Sequence, residues 1–191
     1  FQHSLAWEIH QYLPNANIRL ELPIQVRKQA IHLDLWITEQ TEITALELKY
    51  KTRLLSACVG NEQYSLKSQN AQDIGRYDFL KDVQRLEYVV NVYNNCKGYA
   101  ILLTNDSSYW DKSPNHNTVD SDFRLSDHRN LERPLCWGAG TSNGTKKGRE
   151  QPLTLQHKYC IQWENYSRIN LIGHNVFRTL TIKVERETGV N

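Results

Sequence analysis

Hydrophobic and polar positions follow two different periods along the N-terminal half of the chain. In residues 2–13, QHSLAWEIHQYL, apolar positions recur at Leu5, Ile9 and Tyr12, which is helical spacing. Pro14 ends that helix, and Ser4 is its candidate cap. The period then drops to two. NIRLELPIQV (17–26) sets Ile18, Leu20 and Leu22 against Arg19 and Glu21, and AIHLDLWI (30–37) sets Ile31, Leu33, Leu35 and Ile37 against His32, Asp34 and Trp36. ITALELKYK (43–51) carries Leu46, Leu48 and Tyr50 on one face and Ala45, Glu47, Lys49 and Lys51 on the other. TEQTE between the last two strands is a short hairpin connection. Residues 62–94 are expected to be helical, with an apolar seam through Ile74, Tyr77, Leu80, Val83 and Leu86. GYAILLTND (98–106) is a continuous apolar run, which predicts a buried strand. Residues 107–157 are polar and irregular, and two further strands are expected at 158–163 and 177–185. With no repeat and no linker, the order predicts a single domain over 1–191. Its core is α/β, with a central mixed β-sheet flanked by helices.

The alternation has a chemical consequence. Asp34 opposes Leu33 and Leu35, while Glu47 and Lys49 share a face opposite Leu46 and Leu48. Pairing of the two strands brings Asp34 within cross-strand reach of Glu47, on the side predicted to face away from the apolar residues. Two carboxylates together form a hard oxygen site suited to Mg²⁺, which takes one or two carboxylates with water and phosphate oxygens. Lys49 beside them is suited to orient an attacking water and steady a negative transition state.

Asp34 on one strand, then Glu47-Leu48-Lys49 on the next, after an initial helix, resembles the PD-(D/E)XK nuclease superfamily. The likeness covers residues 1–105, since the long helix and the strand at 98–104 continue that group's core order. His32 and Leu33 stand where the proline of the motif's name would be. The resemblance implies a restriction-endonuclease-like core and metal-dependent phosphodiester hydrolysis, with DNA the expected substrate and Mg²⁺ or Mn²⁺ the cofactor. It implies Asp34, Glu47 and the Leu48 backbone carbonyl as metal ligands, Lys49 as the catalytic cation, and Glu8 as the acidic residue of the first helix. Gln63 and Lys67 then line the cleft, and double-strand cutting calls for a homodimer. The alternative is a catalytically silent nucleic-acid-binding protein or complex subunit of the same fold.

Net charge of +2 and a pI near 8.3 leave any nucleic-acid footprint to local clusters. One is GTSNGTKKGRE, where Lys146, Lys147 and Arg149 stand among glycines suited to phosphate contact. Lys51, on the Glu47 face, is a further such contact. Trp137 and Trp163 are candidates either for base stacking or for the core. The Gly-rich segment lacks Walker spacing, and the seven histidines show no ligand pattern. Four cysteines without a close pair read as reduced thiols rather than a zinc site. No apolar run approaches the roughly 18 residues of a spanning helix, so a cytoplasmic protein is expected. The chain has no methionine, which is the expectation for a fragment or for a sequence lacking positions.

Overall fold

The computed structural model describes residues 1–26, 29–115, 117–132, 134–169 and 173–186. The elements are α1 (Gln2–Tyr12), β1 (Asn17–Val26), β2 (Gln29–Glu39), β3 (Glu42–Lys51), β4 (Leu55–Val59), β5 (Glu62–Leu66), α2 (Gln72–Val92), β6 (Cys96–Thr104), β7 (Asn130–Leu131), α3 (Asn143–Lys146), β8 (Tyr159–Cys160), β9 (Trp163–Arg168) and β10 (Val176–Val184). Six strands form a mixed sheet in the order β1-β2-β3-β6-β10-β9, and β4-β5 and β7-β8 are separate two-stranded pairs. The protein is therefore α/β. No helix among the described residues is long and apolar enough to cross a membrane.

The chain divides into two compact units, with one division inside β3. The first comprises Phe1–Leu48, Asp82–Ile101 and Ile182–Asn191; the second comprises Lys49–Lys81 and Leu102–Thr181.

In the first unit both faces of the sheet are covered. Leu35, Ile37 and Leu46 form a cluster against which Leu5, Ala6 and Ile9 of α1 pack. Two positions of the predicted stripe, Leu5 and Ile9, pack as their spacing predicts, whereas Tyr12 is exposed, and the helix buries none of its residues fully. Its N-cap is Phe1 and no side chain caps it, so Ser4 does not have the expected role. On the opposite face Trp36 meets Tyr93, just after α2, edge-on at 5.0 Å between ring centres. Strands β3 and β6 begin side by side. The Ile43 N–H donates to the Asn95 carbonyl, and Lys97 pairs with Glu42 at 3.0 Å. The connection through α2 therefore returns the chain parallel, as crossovers of this length do.

The second unit corrects two expectations. Residues 62–71 are not helical: β4 and β5 form a hairpin around Gly60 and Asn61, and the helix starts at Gln72. Gly60 takes φ +61, the left-handed region such a turn needs. The expected strand at 158–163 is replaced by β8, which pairs with β7, and by β9, which pairs with β10. Leu55, Leu103 and Phe177 are buried together. Tyr77, Phe123 and Trp137 make a second aromatic group, with centroids 4.7–5.6 Å apart. Trp163 is a core side chain, while Trp137 is half-buried against Tyr77 and Phe123. The indole N–H groups of Trp137 and Trp163 donate to the carbonyls of Arg149 and Leu125.

The irregular stretch after β6 is ordered by polar side chains acting on backbone. The Asn105 amide accepts from the Arg53 N–H at 2.7 Å and donates to the His174 carbonyl at 2.8 Å. Asp106, 2 % exposed, accepts from Gln72 and the Ser108 N–H and lies 3.1 Å from the Arg53 guanidinium. Burial alone would raise its pKa. The Gln72 and Ser108 hydrogen bonds and the Arg53 charge outweigh that and hold the carboxyl below the usual range. A depressed folded pKa contributes stability that is whole above the ordinary aspartate value and is lost as pH falls through the folded one. Unfolding in urea should therefore show stability declining from about pH 4 downward, with a shallower decline in Asp106→Asn. An identical slope in the two proteins would remove Asp106 as a source of the acid sensitivity.

Candidate functional site

The sheet of the first unit is irregular beside Asp34. Strands β1 and β2 pair at Leu20 with Leu35 and at Leu22 with Leu33, and the ladder skips the intervening step, Glu21 with Asp34. Glu21 has φ +48, a left-handed conformation that costs a non-glycine residue about 1–2 kcal/mol. On the other side, the β2–β3 pairs run from Glu39 with Glu42 to Leu35 with Leu46. Continuing that register one step sets Asp34 across from Glu47. Side chains take part in the bonding at this place. The Leu48 N–H donates to Asp34 Oδ2 at 2.6 Å, and Gln2 Nε2 of α1 donates to the Asp34 carbonyl at 2.6 Å and to Glu21 at 3.0 Å. The aspartate is thus fastened to the backbone of the Glu47-Leu48-Lys49 stretch.

Glu47 is 4 % exposed. The alternation of β3 turns its face away from the apolar side, but α2 covers that face. Its Oε1 lies 3.1 Å from Arg85 Nη2 of that helix. The same guanidinium donates to Asp82 Oδ1 at 3.0 Å and to the His32 carbonyl at 2.8 Å. The helix that carries Arg85 is buried around most of its circumference, including the charged Arg76, Asp82 and Glu87. A buried charge needs a partner, so Arg85 turns inward to Glu47 and Asp82. One guanidinium thereby meets two buried carboxylates, close along the chain to Asp34.

Lys49 follows Glu47 by two positions on β3 and is half-buried. Glu8 is exposed on α1, and the α1 side chain that reaches the Asp34 backbone is Gln2 instead. Among the described residues no group of three or more His, Cys, Asp or Glu side chains is arranged to hold a metal. Asp34 and Glu47 are a two-carboxylate set, which is the number Mg²⁺ takes from a protein when phosphate and water complete its shell. Glu47 fits that set only by sharing its carboxylate with Arg85.

The expected nucleic-acid contacts all fall in the second unit. Gln63 and Lys67 are exposed on and just after β5, and Lys51 is half-buried. Lys146 and Lys147 end the short α3, the first half-buried and the second exposed. Arg149 is different: its guanidinium clasps Asp78 through two hydrogen bonds of 2.7 and 2.9 Å, which raises its pKa further, so it has a structural partner. Sequence reasoning missed Arg85, Asp82 and Gln2. The first two were visible only as a charged i,i+3 pair inside a helix whose apolar positions are too many for a single stripe.

No protein-family model, curated protein or solved structure matches the chain.

Replacing Arg85 by Met should cost about 3 kcal/mol in urea unfolding, the low end for a buried pair broken from one side, because a quarter of the Arg85 side chain remains in solvent. Adding Glu47→Gln should recover most of that loss. Equal stability of the single and double variants would show that the stranded carboxylate is not what destabilises the protein.

Proposed function

We propose that the chain is a Mg²⁺- or Mn²⁺-dependent nuclease of the PD-(D/E)XK type, with a restriction-endonuclease-like core, that acts on DNA as an endodeoxyribonuclease. Support comes from the element order α1-β1-β2-β3, then α2 and β6, with Asp34 on β2 and Glu47, Leu48 and Lys49 on β3. The observation that carries the reading is the local distortion at Asp34. A sheet selected for stability alone has no reason to hold Glu21 in a left-handed conformation mid-strand, or to bind a strand amide with the carboxylate of a central aspartate. Strain of that kind gathers at functional positions.

In this reading Asp34, Glu47 and the Leu48 carbonyl are the groups that would hold the cation. When bound, the cation supplies an acidified water and neutralises charge growing on phosphorus. The Leu48 amide keeps the Asp34 carboxylate aimed at that point by its 2.6 Å hydrogen bond. Lys49 orients the water and offsets negative charge in the transition state. Glu8 is a second-rank contact, and Lys51, Gln63, Lys67, Lys146 and Lys147 would meet phosphates through charge and polar contact. A cytoplasmic location and a homodimer for double-strand cutting belong to the same reading.

One observation favours a second reading, a catalytically silent nucleic-acid-binding protein or complex subunit with the same fold. The Glu47 carboxylate is already neutralised by Arg85 at 3.1 Å, as in an ion pair kept for structure. Incubation with supercoiled DNA and Mg²⁺ or Mn²⁺ separates the two. Under the first reading the wild type cuts, Asp34→Ala does not, and Lys49→Ala is slower by about 10²–10³-fold. Cutting that survives both substitutions would defeat the assigned site. DNA binding without cutting would transfer the conclusion to the silent reading, and absence of both would reject the pair.

A further inference from the structure

In the irregular part of the second unit lies a cavity of about 200 Å³ lined by Lys112, Thr118, Ser121, Arg124, Ser126 and Arg129, among others. Three lining side chains are cationic and none is a carboxylate. The cations are only partly compensated. Arg124 Nε lies 3.2 Å from Asp120, but Arg76 lies 2.7 Å from the same Asp120 oxygen, so one carboxylate serves two guanidinium groups. Arg129 donates to the carbonyls of Ser121, Asp122 and Arg124, neutral acceptors that satisfy its N–H groups without cancelling its charge. Burial pushes the Arg129 guanidinium below its ordinary range; Asp122 opposes that shift, and the neighbouring Arg124 charge reinforces it.

Donors remain for a ligand. Arg124 gives Nη2 to the Thr118 hydroxyl, and its Nε lies 3.2 Å from Asp120 without a hydrogen bond, which leaves Nη1 without an acceptor among the described residues. The Thr118 hydroxyl accepts in that contact, so its own proton is available. The same holds for Ser113, whose oxygen accepts the Asn115 N–H. Lys112, exposed at the rim, has no ion-pair partner among the described residues. An apolar ligand does not suit such a lining, and a cation is repelled by it. The volume is below the roughly 300 Å³ at which whole small-molecule sites begin. Hydroxyl and N–H donors beside three cations suit a phosphoryl group, whose oxygens accept in more directions than the single plane of a carboxylate.

We propose that this cavity is a phosphate-binding site, built for the phosphoryl group of a nucleic-acid end or of a small phosphate. The inference goes beyond the nuclease reading and does not depend on it. Calorimetric titration of the full chain with inorganic phosphate at fixed ionic strength tests it. Saturable one-site binding is expected in the wild type, weakened about tenfold or more in Lys112→Glu and in Arg124→Gln, as for lost charged hydrogen bonds. Arg124 also grips Asp120, so circular dichroism accompanies that variant, while Lys112→Glu alters only an exposed rim residue and keeps the test decisive. No saturation by about 10 mM phosphate, or unchanged affinity in a folded Lys112→Glu, would overturn the site. A competition arm identifies the source. Displacement by a 5′-phosphorylated dinucleotide but not by its unphosphorylated form would assign the site to nucleic-acid ends, and displacement by neither would assign it to a small phosphate. Neither arm requires cleavage, so loss of the nuclease reading leaves this result standing.

Discussion

The carboxylate of Glu47 sits under α2 with 4 % of its surface exposed, and the arrangement of the first unit depends on that burial. A carboxylate taken out of water is tolerated only if paired and hydrogen-bonded. Arg85 supplies the pairing from the helix, and in doing so fixes the helix to β3 through Glu47, to β2 through the His32 carbonyl, and to its own preceding turn through Asp82. Arginine suits this position because its rigid fork serves three acceptors in different directions; a lysine ammonium would meet one charge at a time. Such a pair is weak evidence for stability, since an apolar replacement of both partners often does as well. Near Asp34 it holds two carboxylates on one guanidinium in fixed positions.

Asp34 pulls in the other direction. Backbone groups in a sheet interior are normally paired in a regular ladder, yet the β1–β2 ladder skips a step at Asp34, and Glu21 takes up the distortion. Three hydrogen bonds involving side chains tie the place together, two donated by Gln2 and one donated by the Leu48 amide to Asp34. The result is a carboxylate held on the backbone of the strand that carries Glu47 and Lys49. Arg85 restrains Glu47 and the Leu48 amide restrains Asp34, so both side chains are positioned by the protein's own groups.

Elements with a strong period or a continuous apolar run were legible in the sequence, and strands that are polar or mostly exposed were not. The alternation in β1, β2 and β3 predicts ranges close to the observed ones. The β4-β5 hairpin has a sequence signal of its own. Leu55 and Ala57 are buried between exposed Ser56 and Cys58, and Gly60-Asn61 is a hairpin turn pair. Its second strand, EQYSL, is polar enough to be absorbed into the following helix. β9 offered nothing: five of its six residues are exposed. At the candidate site the sequence placed Asp34, Glu47 and Lys49 on neighbouring strands but put them on a solvated face. Burial of that face is decided by α2, and a hydrophobic seam through Ile74, Tyr77 and Leu80 does not reveal that the helix is enclosed on its charged side as well.

In the second unit a long irregular segment is ordered by arginine. About fifty residues with little secondary structure are unusual in a compact protein, because their backbone groups need partners. Here Arg76, Arg129 and Arg149 reach Ser108, Ser121, Asp122, Arg124 and Lys147 carbonyls and the carboxylates of Asp120 and Asp78. A guanidinium bonded to carbonyls is satisfied as a donor but not as a charge. Each loop carbonyl fastened this way therefore leaves positive potential behind, and it accumulates where Arg124 and Arg129 stand together, with Asp120 already shared with Arg76. Affinity for an oxyanion at that place is a consequence of how the segment is tied down. The residues that make the loop rigid are the ones that make it electropositive.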